Sequence, residues 1–365
     1  MTTSDFDAFR PPEPEGRRRR GGARGTGQRR RTSGGDGGRE MPMVPEVEFE
    51  SYYGRPVVKA PPWGEEIPAY LFLGGVAGGS ALLAAGAQFT RRPRLRRNSR
   101  LSALGAIGVG SLALVADLGR PERFLNMLRT FKVTSPMSVG SWILATFSVG
   151  AGAAAAVEVD RMTGSRLPLG PLRSLLPTVD VGGGIWAAVL GAPLAAYTAV
   201  LLGDTATPTW NAAHNELPFV FVSSAAMASG GLALLTTPTD ETAPARVLAV
   251  LGAAGDVAAS KVMHRNMDPV VAETLHHGKV GKMLRASEIL AVVGGLGAVM
   301  GGRHRGVAAV SGLCLLGSSA LTRFGIFEAG IESAKDPRYT IEPQKRRLAA
   351  RRAAGITDDS ITTVR

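Results

Sequence analysis

The chain has 365 residues, 45% of them hydrophobic, and a formal net charge of +12 at pH 7. Its single cysteine, Cys314, excludes an intrachain disulfide and an iron–sulfur cluster held by this chain alone, which needs about four thiolates. No predicted membrane span carries a histidine, so we expect no haem held between helices; the histidines fall in predicted loops, at His214, His264, His276, His277 and His304.

The first 60 residues are predicted to be a disordered tail rich in Arg, Gly and Pro. Its arginine runs, at 17–20 and 29–31, are compatible with attraction to anionic lipid head groups, with a solvated tail, or with translation that begins at Met41 or Met43. Nothing folded accompanies the basic run, so we expect no nucleic-acid partner. We also expect no cleavable signal peptide, and the first span would itself drive insertion.

About eight apolar stretches have the length and composition of membrane-spanning helices. Each is continuously apolar rather than alternating, which favours helices over a barrel. The sequence therefore predicts an all-α integral membrane protein that lies in a lipid bilayer. The spans are predicted near 67–90, 101–117, 139–157, 182–203, 217–238, 245–260, 286–302 and 306–322.

Small residues recur at four-residue spacing inside the spans, as in Gly74 and Gly78. Such patterns let helix backbones approach closely in lipid and predict a tightly packed bundle. The arginine-rich loop 91–100 favours a cytoplasmic position for that side, with both termini outside, whereas the basic tails favour the reverse.

Polar residues gather where the first two spans begin and end. Trp63, Glu66 and Tyr70 lie at the predicted start of the first span, where Trp and Tyr favour the membrane interface. Asp117 closes the second span and is followed by Arg120 and Arg123. A carboxylate near bilayer depth is a functional candidate unless it is paired, so Asp117 is either part of a site or an ion-paired helix cap.

The next two spans carry further candidates. Ser135 to Trp142 leads into the third span with hydroxyl groups and an interfacial tryptophan. Tyr197 places a phenol inside the apolar fourth span, where its hydroxyl would bond either a ligand carbonyl or a neighbouring backbone. His214 and Asn215 follow that span, on the same side of the membrane as Glu66 and Asp117.

Ionisable residues also occur in the later spans. Asp256 lies in the sixth span, with Lys261 a turn later, and Glu288 lies early in the seventh. Asp256 and Glu288 are candidates for a proton path. The alternative is an interfacial pair between Asp256 and Lys261, with this half of the chain serving as scaffold.

Four segments taken together resemble the NrfD-like family, which contains the membrane subunits of polysulfide reductase and related molybdopterin oxidoreductases. The resemblance covers roughly residues 50–335. The segments occur in order along the chain, as Glu66–Gly75, Asp117–Phe124, Ser135–Trp142 and Pro193–Gly203.

The resemblance implies two four-helix bundles, here 61–210 and 211–335. The residues after them, 336–365, are predicted from their own composition to be a polar basic tail. The resemblance also implies a subunit without haem, iron–sulfur cluster or metal of its own, in a prokaryotic plasma membrane. A ferredoxin-like iron–sulfur subunit would dock at one face, next to a molybdopterin catalytic subunit. A diffusible quinone or quinol would bind in the first bundle near that face.

Tyr197 matches the position of the family's quinone-contacting tyrosine. Glu65 and Glu66 occupy the place of polar residues at the start of the first span, although this chain has no His or Asn there. The candidates for quinone binding or proton transfer are Glu66, Tyr70, Asp117, Tyr197 and His214. The candidates for partner docking or structure are Trp63, Arg120, Arg123, Ser135, Trp142 and Asn215.

Three functions are open, the third being a purely structural anchor without a quinone site. The first is an anchor subunit that is not an enzyme alone and passes electrons between an iron–sulfur partner and the quinone pool. The second is a secondary transporter or ion-translocating protein that acts by itself; transporters usually carry broken helices and charges near mid-membrane. Here the charges cluster at span ends, apart from Asp256.

Overall fold

The regular elements of the chain are helices throughout the part that the structure describes. That part of the computed structural model comprises residues 56–166, 168, 170–300 and 303–356. The helices are α1 (Glu66–Phe89), α2 (Pro93–Asp117), α3 (Arg123–Met127), α4 (Pro136–Met162), α5 (Leu176–Gly203), α6 (Pro208–Ala212), α7 (Leu217–Thr236), α8 (Ala243–Asn266), α9 (Pro269–His276), α10 (Gly278–Met300), α11 (Arg305–Lys335) and α12 (Arg338–Ala353).

Eight of the described helices are long and apolar enough to cross a membrane, as predicted. They are α1, α2, α4, α5, α7, α8, α10 and α11; a 3₁₀ turn, Gly170–Leu175, leads into α5. The predicted disordered tail lies outside the described residues, apart from 56–60. The end of the predicted C-terminal tail, 357–365, lies outside them as well, whereas its first part forms α12.

Several helices extend beyond the predicted spans. The helix α8 runs to Asn266, so the placement of His264 in a loop was wrong. The predicted loop 261–285 is mostly helical, since it also contains α9, with His276, and the start of α10. The helix α11 continues to Lys335, past the predicted end at 322. Hydropathy locates only the apolar part of a helix, while Lys, Arg and Glu are good helix formers that prolong it into the interface.

The spanning helices pack in two groups. The helices α1, α2, α4 and α5 pack around one another, and α7, α8, α10 and α11 do so as well. The central helix α1 also packs against α7 and α11, and the described residues belong to one compact unit, Tyr52–Arg365. The division into domains at 61–210 and 211–335 stays a prediction.

Two glycines allow α1 and α5 to cross in backbone contact. A Cβ built on Gly78 would lie 2.3 Å from the carbonyl oxygen of Gly191, and one on Gly191 would lie 2.5 Å from the carbonyl oxygen of Gly78. No side chain fits at either position without moving a backbone. The crossing therefore uses the small-residue packing expected of helices in lipid.

The two ends of the bundle differ in their connections. We call one the short-loop end; its described connections are 90–92, 163–166, 170–175, 237–242 and 303–304. We call the other the aromatic end; its connections are 56–65, 118–135, 204–216 and 267–277, followed by 336–356.

A buried ion cluster closes the short-loop end. Arg100 of α2 donates to Glu158 of α4 at 3.1 Å, to Gln88 of α1 at 2.5 Å, and to the carboxylate and carbonyl groups of Asp180 of α5. Arg161 bonds the same Asp180 at 2.6 Å. The sequence drew attention to this arginine run only as a signal of topology, because its partners lie up to 80 residues away.

Candidate functional site

Two tyrosines meet near the aromatic end. Tyr70 lies in the second turn of α1 and Tyr197 lies two turns before the end of α5, and their hydroxyl groups are in hydrogen-bond contact. Tyr70 is buried and Tyr197 is half-buried. Each phenol carries one donor proton, and the contact uses only one of the two. The second hydroxyl proton remains available to a third group, such as a ligand carbonyl.

The segment Ser135–Trp142 shapes the space around Tyr197. A Cβ built on Gly140 of α4 would lie 2.2 Å from Cε2 of Tyr197, so the ring lies against bare backbone there. Ser135 caps α4 by accepting from the Ser138 N–H at 3.4 Å, and Trp142 packs edge-on against Phe131 with centroids 6.1 Å apart. This motif therefore brings a glycine, rather than its hydroxyls, to the phenol pair.

Two carboxyl groups lie at the start of α1. The N–H of Gly64 donates to Asp117 at 3.1 Å, and a Cβ on Gly64 would lie 2.2 Å from Oε2 of Glu66. Glu66 is exposed and Asp117 is half-buried, so both can exchange protons with water at the interface. Glu66 precedes Tyr70 by four residues and lies on the same face of α1.

The ion-paired cap considered for Asp117 is not formed within the described residues. Arg120 and Arg123 are exposed on the segment after α2, and Asp117 bonds the Gly64 backbone instead. The two arginines therefore present their charge at the surface of the aromatic end. That position is compatible with partner docking.

The contacts of His214 are separate from those of the tyrosine pair. Its Nδ1 lies 2.7 Å from the carbonyl oxygen of Asn211, and a Cβ on Gly203 would lie 3.0 Å from its Cβ. His214 lines a cavity of about 250 Å³ that is also bounded by residues of α12 such as Tyr339 and Pro343. The neighbouring Asn215 is exposed.

An aromatic cluster at this end was not predicted as a unit. Trp63 stacks on Trp210 with centroids 5.8 Å apart, and Phe327 of α11 lies 5.5 Å from Trp210. Trp210 is fully buried and donates from Nε1 to the carbonyl oxygen of Ile326 at 2.8 Å. The cluster ties the entry to α1, the helix α6 and the end of α11 together beside the site.

The charged residues of the second group are arranged differently from the prediction. Lys261 pairs with Glu288 at 3.4 Å, so the pair expected between Asp256 and Lys261 was wrong. Asp256 is buried, with 4% exposure, and Arg323 of α11 is buried completely. Arg323 was not among the predicted functional residues, because the predicted span ended one residue before it. Within the described ranges, no group of three or more His, Cys, Asp or Glu side chains could hold a metal ion.

The chain is similar to a known protein family. The family model described as polysulphide reductase, NrfD, matches residues 57–249, slightly more than half of the chain. A search of curated proteins finds no match. The matched range contains Tyr70, Asp117, Gly140 and Tyr197, whereas Asp256, Glu288 and Arg323 lie beyond it.

Proposed function

Because the chain belongs to the NrfD family, we propose that this multi-pass membrane protein is the quinone-interacting anchor subunit of a multi-subunit oxidoreductase. It passes electrons between a partner iron–sulfur subunit and the quinone pool without a haem of its own. The reaction belongs to the complex, and the membrane is the plasma membrane of a prokaryote.

The contact between Tyr70 and Tyr197 carries this proposal. A quinone ring needs a mostly apolar cleft with a few placed donors. The phenol pair offers a donor between α1 and α5, and Gly140 leaves bare backbone beside one ring. Tyr70, Leu71 and Leu194 belong to one buried apolar cluster, and Tyr197 packs against it, so the surroundings of the pair are mostly apolar.

The protons of quinone reduction would enter beside the phenols. Reduction of a quinone to a quinol takes up two electrons and two protons, and each new O–H bond forms at a carbonyl oxygen. Tyr70 or Tyr197 would hydrogen-bond a carbonyl oxygen and orient the ring. Glu66 and Asp117 lie at the interface and would pass protons from water towards it.

We place the iron–sulfur partner at the aromatic end, with the molybdopterin catalytic subunit beyond it. The connection between α2 and α4 supports this placement. It exposes Arg120 and Arg123 together with the apolar Phe131 and Val133, which are 60% and 75% exposed. Apolar side chains rimmed by charges are typical of a protein interface.

The alternative is an ion-translocating protein that acts alone. The burial of Asp256 and Arg323 in the second group favours it, because buried ionisable groups in spans mark ion pathways. Purification of the full chain from its native membrane separates the two functions. An anchor subunit is isolated with a cluster-bearing partner, whereas a transporter is isolated without one.

The quinone site is tested by Tyr197→Phe and Asp117→Asn in the assembled complex. Each variant should lower quinone-coupled turnover by about 10- to 100-fold while the partner still co-purifies. Thr90→Val is the matched control, because it also removes one hydroxyl group but at the short-loop end, where Thr90 donates to the Gly86 carbonyl oxygen at 2.8 Å, and it should leave turnover unchanged. Full turnover in both site variants, with intact assembly, would rule out this site.

A further inference from the structure

Two buried charged groups in the second group of helices have unused hydrogen-bonding atoms. Oδ1 of Asp256 and both Nε and Nη1 of Arg323 are buried without a hydrogen-bond partner among the described residues. The remaining nitrogen, Nη2 of Arg323, donates to the carbonyl oxygen of Phe221 at 2.5 Å, and the guanidinium lies 3.8 Å from the centre of the Phe221 ring. Buried polar atoms of this kind call for water or for a change of protonation.

A small cavity reaches Asp256 from the membrane interface. Its volume is about 60 Å³, and its lining includes Asp256, Ser260, His264, Ser287 and Thr322. One water molecule needs roughly 10–15 Å³ of such space, so the cavity has room for a few. Hydroxyl groups on its wall supply the polar partners that buried water requires.

The mouth of the cavity lies on the side of the aromatic end. Lys261 and Glu288 also line the cavity, and their side chains are 67% and 50% exposed. Asp256 precedes Lys261 by five residues, which places it about 7.5 Å deeper along α8. The cavity is therefore a short polar passage from the interface to a buried carboxyl group.

The inner wall of the passage is a set of linked hydroxyl groups. Ser287 of α10 lies 3.0 Å from Ser318 and 2.7 Å from Thr322 of α11. Thr322 is adjacent to Arg323, whose Nη2 would lie 3.1 Å from a Cβ on Gly75 of α1. Hydroxyl groups both donate and accept, so this wall can order water beside the carboxyl group.

We propose that Asp256 is a proton-exchange site served by this passage, with Arg323 as its fixed countercharge. A proton arrives from water at a carboxylate oxygen, gives the neutral acid, and leaves by the same route. The charged and titratable groups that line the passage are Lys261 and His264 from α8 and Glu288 from α10. Arg323 from α11 is outside the lining and attracts the Asp256 carboxylate electrostatically. His276 of α9 packs on His264 with centroids 4.9 Å apart. The exchange site does not depend on the quinone proposal.

Infrared difference spectroscopy of the purified full chain in lipid nanodiscs tests the proposal. A pH titration should show a protonated carboxyl C=O band that fades several-fold as the pH rises. The band should be lost in Asp256→Asn and kept in Glu288→Gln, which alters only the mouth. Size-exclusion profiles establish that both variants are folded.

A hydrophobic carbodiimide provides a second measurement on the unaltered chain, because it modifies protonated carboxyl groups in apolar surroundings. Peptide mass spectrometry should find the adduct on Asp256, and its yield should fall as the pH rises. A titrating band that survives Asp256→Asn, or no band and no adduct on Asp256 at any pH, would overturn the proposal. Asp256 would then be a permanently ionised partner of Arg323, and the quinone site would be unaffected.

Discussion

The short-loop end and the aromatic end of the bundle use their polar groups in different ways. At the short-loop end, Arg100 is almost fully buried and bonds groups from α1, α4 and α5. At the aromatic end, Glu66 is exposed and the Tyr70–Tyr197 pair retains a donor. The first arrangement fixes four helices by charge, whereas the second leaves hydrogen-bonding capacity for a ligand.

The connections follow the same division. Even an exposed arginine of the short-loop end is anchored, since Arg305 donates to the carbonyl oxygens of Leu234 and Thr237 at 2.8 and 2.9 Å. At the aromatic end, stacking of Trp63, Trp210 and Phe327 joins three elements without charge, and the ion pairs between α12 and the α9 segment are partly exposed. Stability and chemistry are therefore expected to respond to different substitutions.

Arg100→Leu should have the largest effect, and it acts on the short-loop end. It would leave the buried carboxylates of Glu158 and Asp180 short of a partner, at a cost of roughly 3–5 kcal/mol in the free energy of unfolding. Denaturant titration in detergent measures this change in the free energy of unfolding. The control is Arg94→Gln, which removes an exposed pair with Asp240 and should cost less than about 1 kcal/mol. If both substitutions lowered the free energy of unfolding equally, the buried cluster would stabilise the protein no more than the exposed pair does.

Gly140→Ala should lower the free energy of unfolding less than Arg100→Leu does, and it should also disturb the tyrosine pair directly. The new methyl group would collide with the Tyr197 ring, so we expect a loss of about 1–3 kcal/mol and a fall in quinone turnover. Gly152→Ala in the same helix is the matched control, because no atom lies within 4 Å of its added Cβ. There we expect no loss, and a gain of up to about 1 kcal/mol from helix propensity. If both variants behave alike, the close approach to Tyr197 is not a constraint.

Trp210→Phe should have the smallest of the three effects. It keeps a ring in the aromatic cluster but removes the indole hydrogen bond to the Ile326 carbonyl oxygen and leaves space where the larger ring was, at a cost of about 1–2 kcal/mol. Trp186→Phe is the control, since Trp186 is half exposed and donates to the Thr146 carbonyl oxygen at 3.1 Å. Its loss should stay within about 0.5 kcal/mol. A larger loss of stability for Trp186→Phe than for Trp210→Phe would mean that the contact on the lipid-facing side of α5 contributes more to stability.

The sequence predicted the helices well and their ends poorly. Continuous apolar runs located the eight spans, because only the spanning part of a helix must be apolar. His264 was misplaced because α8 continues through charged residues into the interface. Arg323 was overlooked for the same reason, although it is the most deeply buried charge of α11.

The site was predictable only where a motif marked it. Tyr70, Asp117 and Tyr197 all belong to recognisable segments, whereas the contact between the two tyrosines, which are 127 residues apart in the chain, was not predicted. The pairing of Lys261 with Glu288 rather than with Asp256 depends on which faces of α8 and α10 meet. The faces that two helices turn towards each other are set by the packing of small residues, such as Gly230 against Ala249. A single sequence does not specify which faces these are.

The contact between Gly78 and Gly191 has a mechanical consequence for the phenol pair. Tyr70 lies eight residues from Gly78, or about 12 Å along α1, and Tyr197 lies six residues from Gly191, or about 9 Å along α5. The two backbones approach most closely there, and we expect that point to act as a pivot for the helices. A rotation of about 10° about it would move the phenol oxygens apart by about 2 Å, on the 1.5 Å rise per residue used above. We therefore expect the distance between the phenol oxygens to depend on packing about 9–12 Å away from them, deep in the bundle.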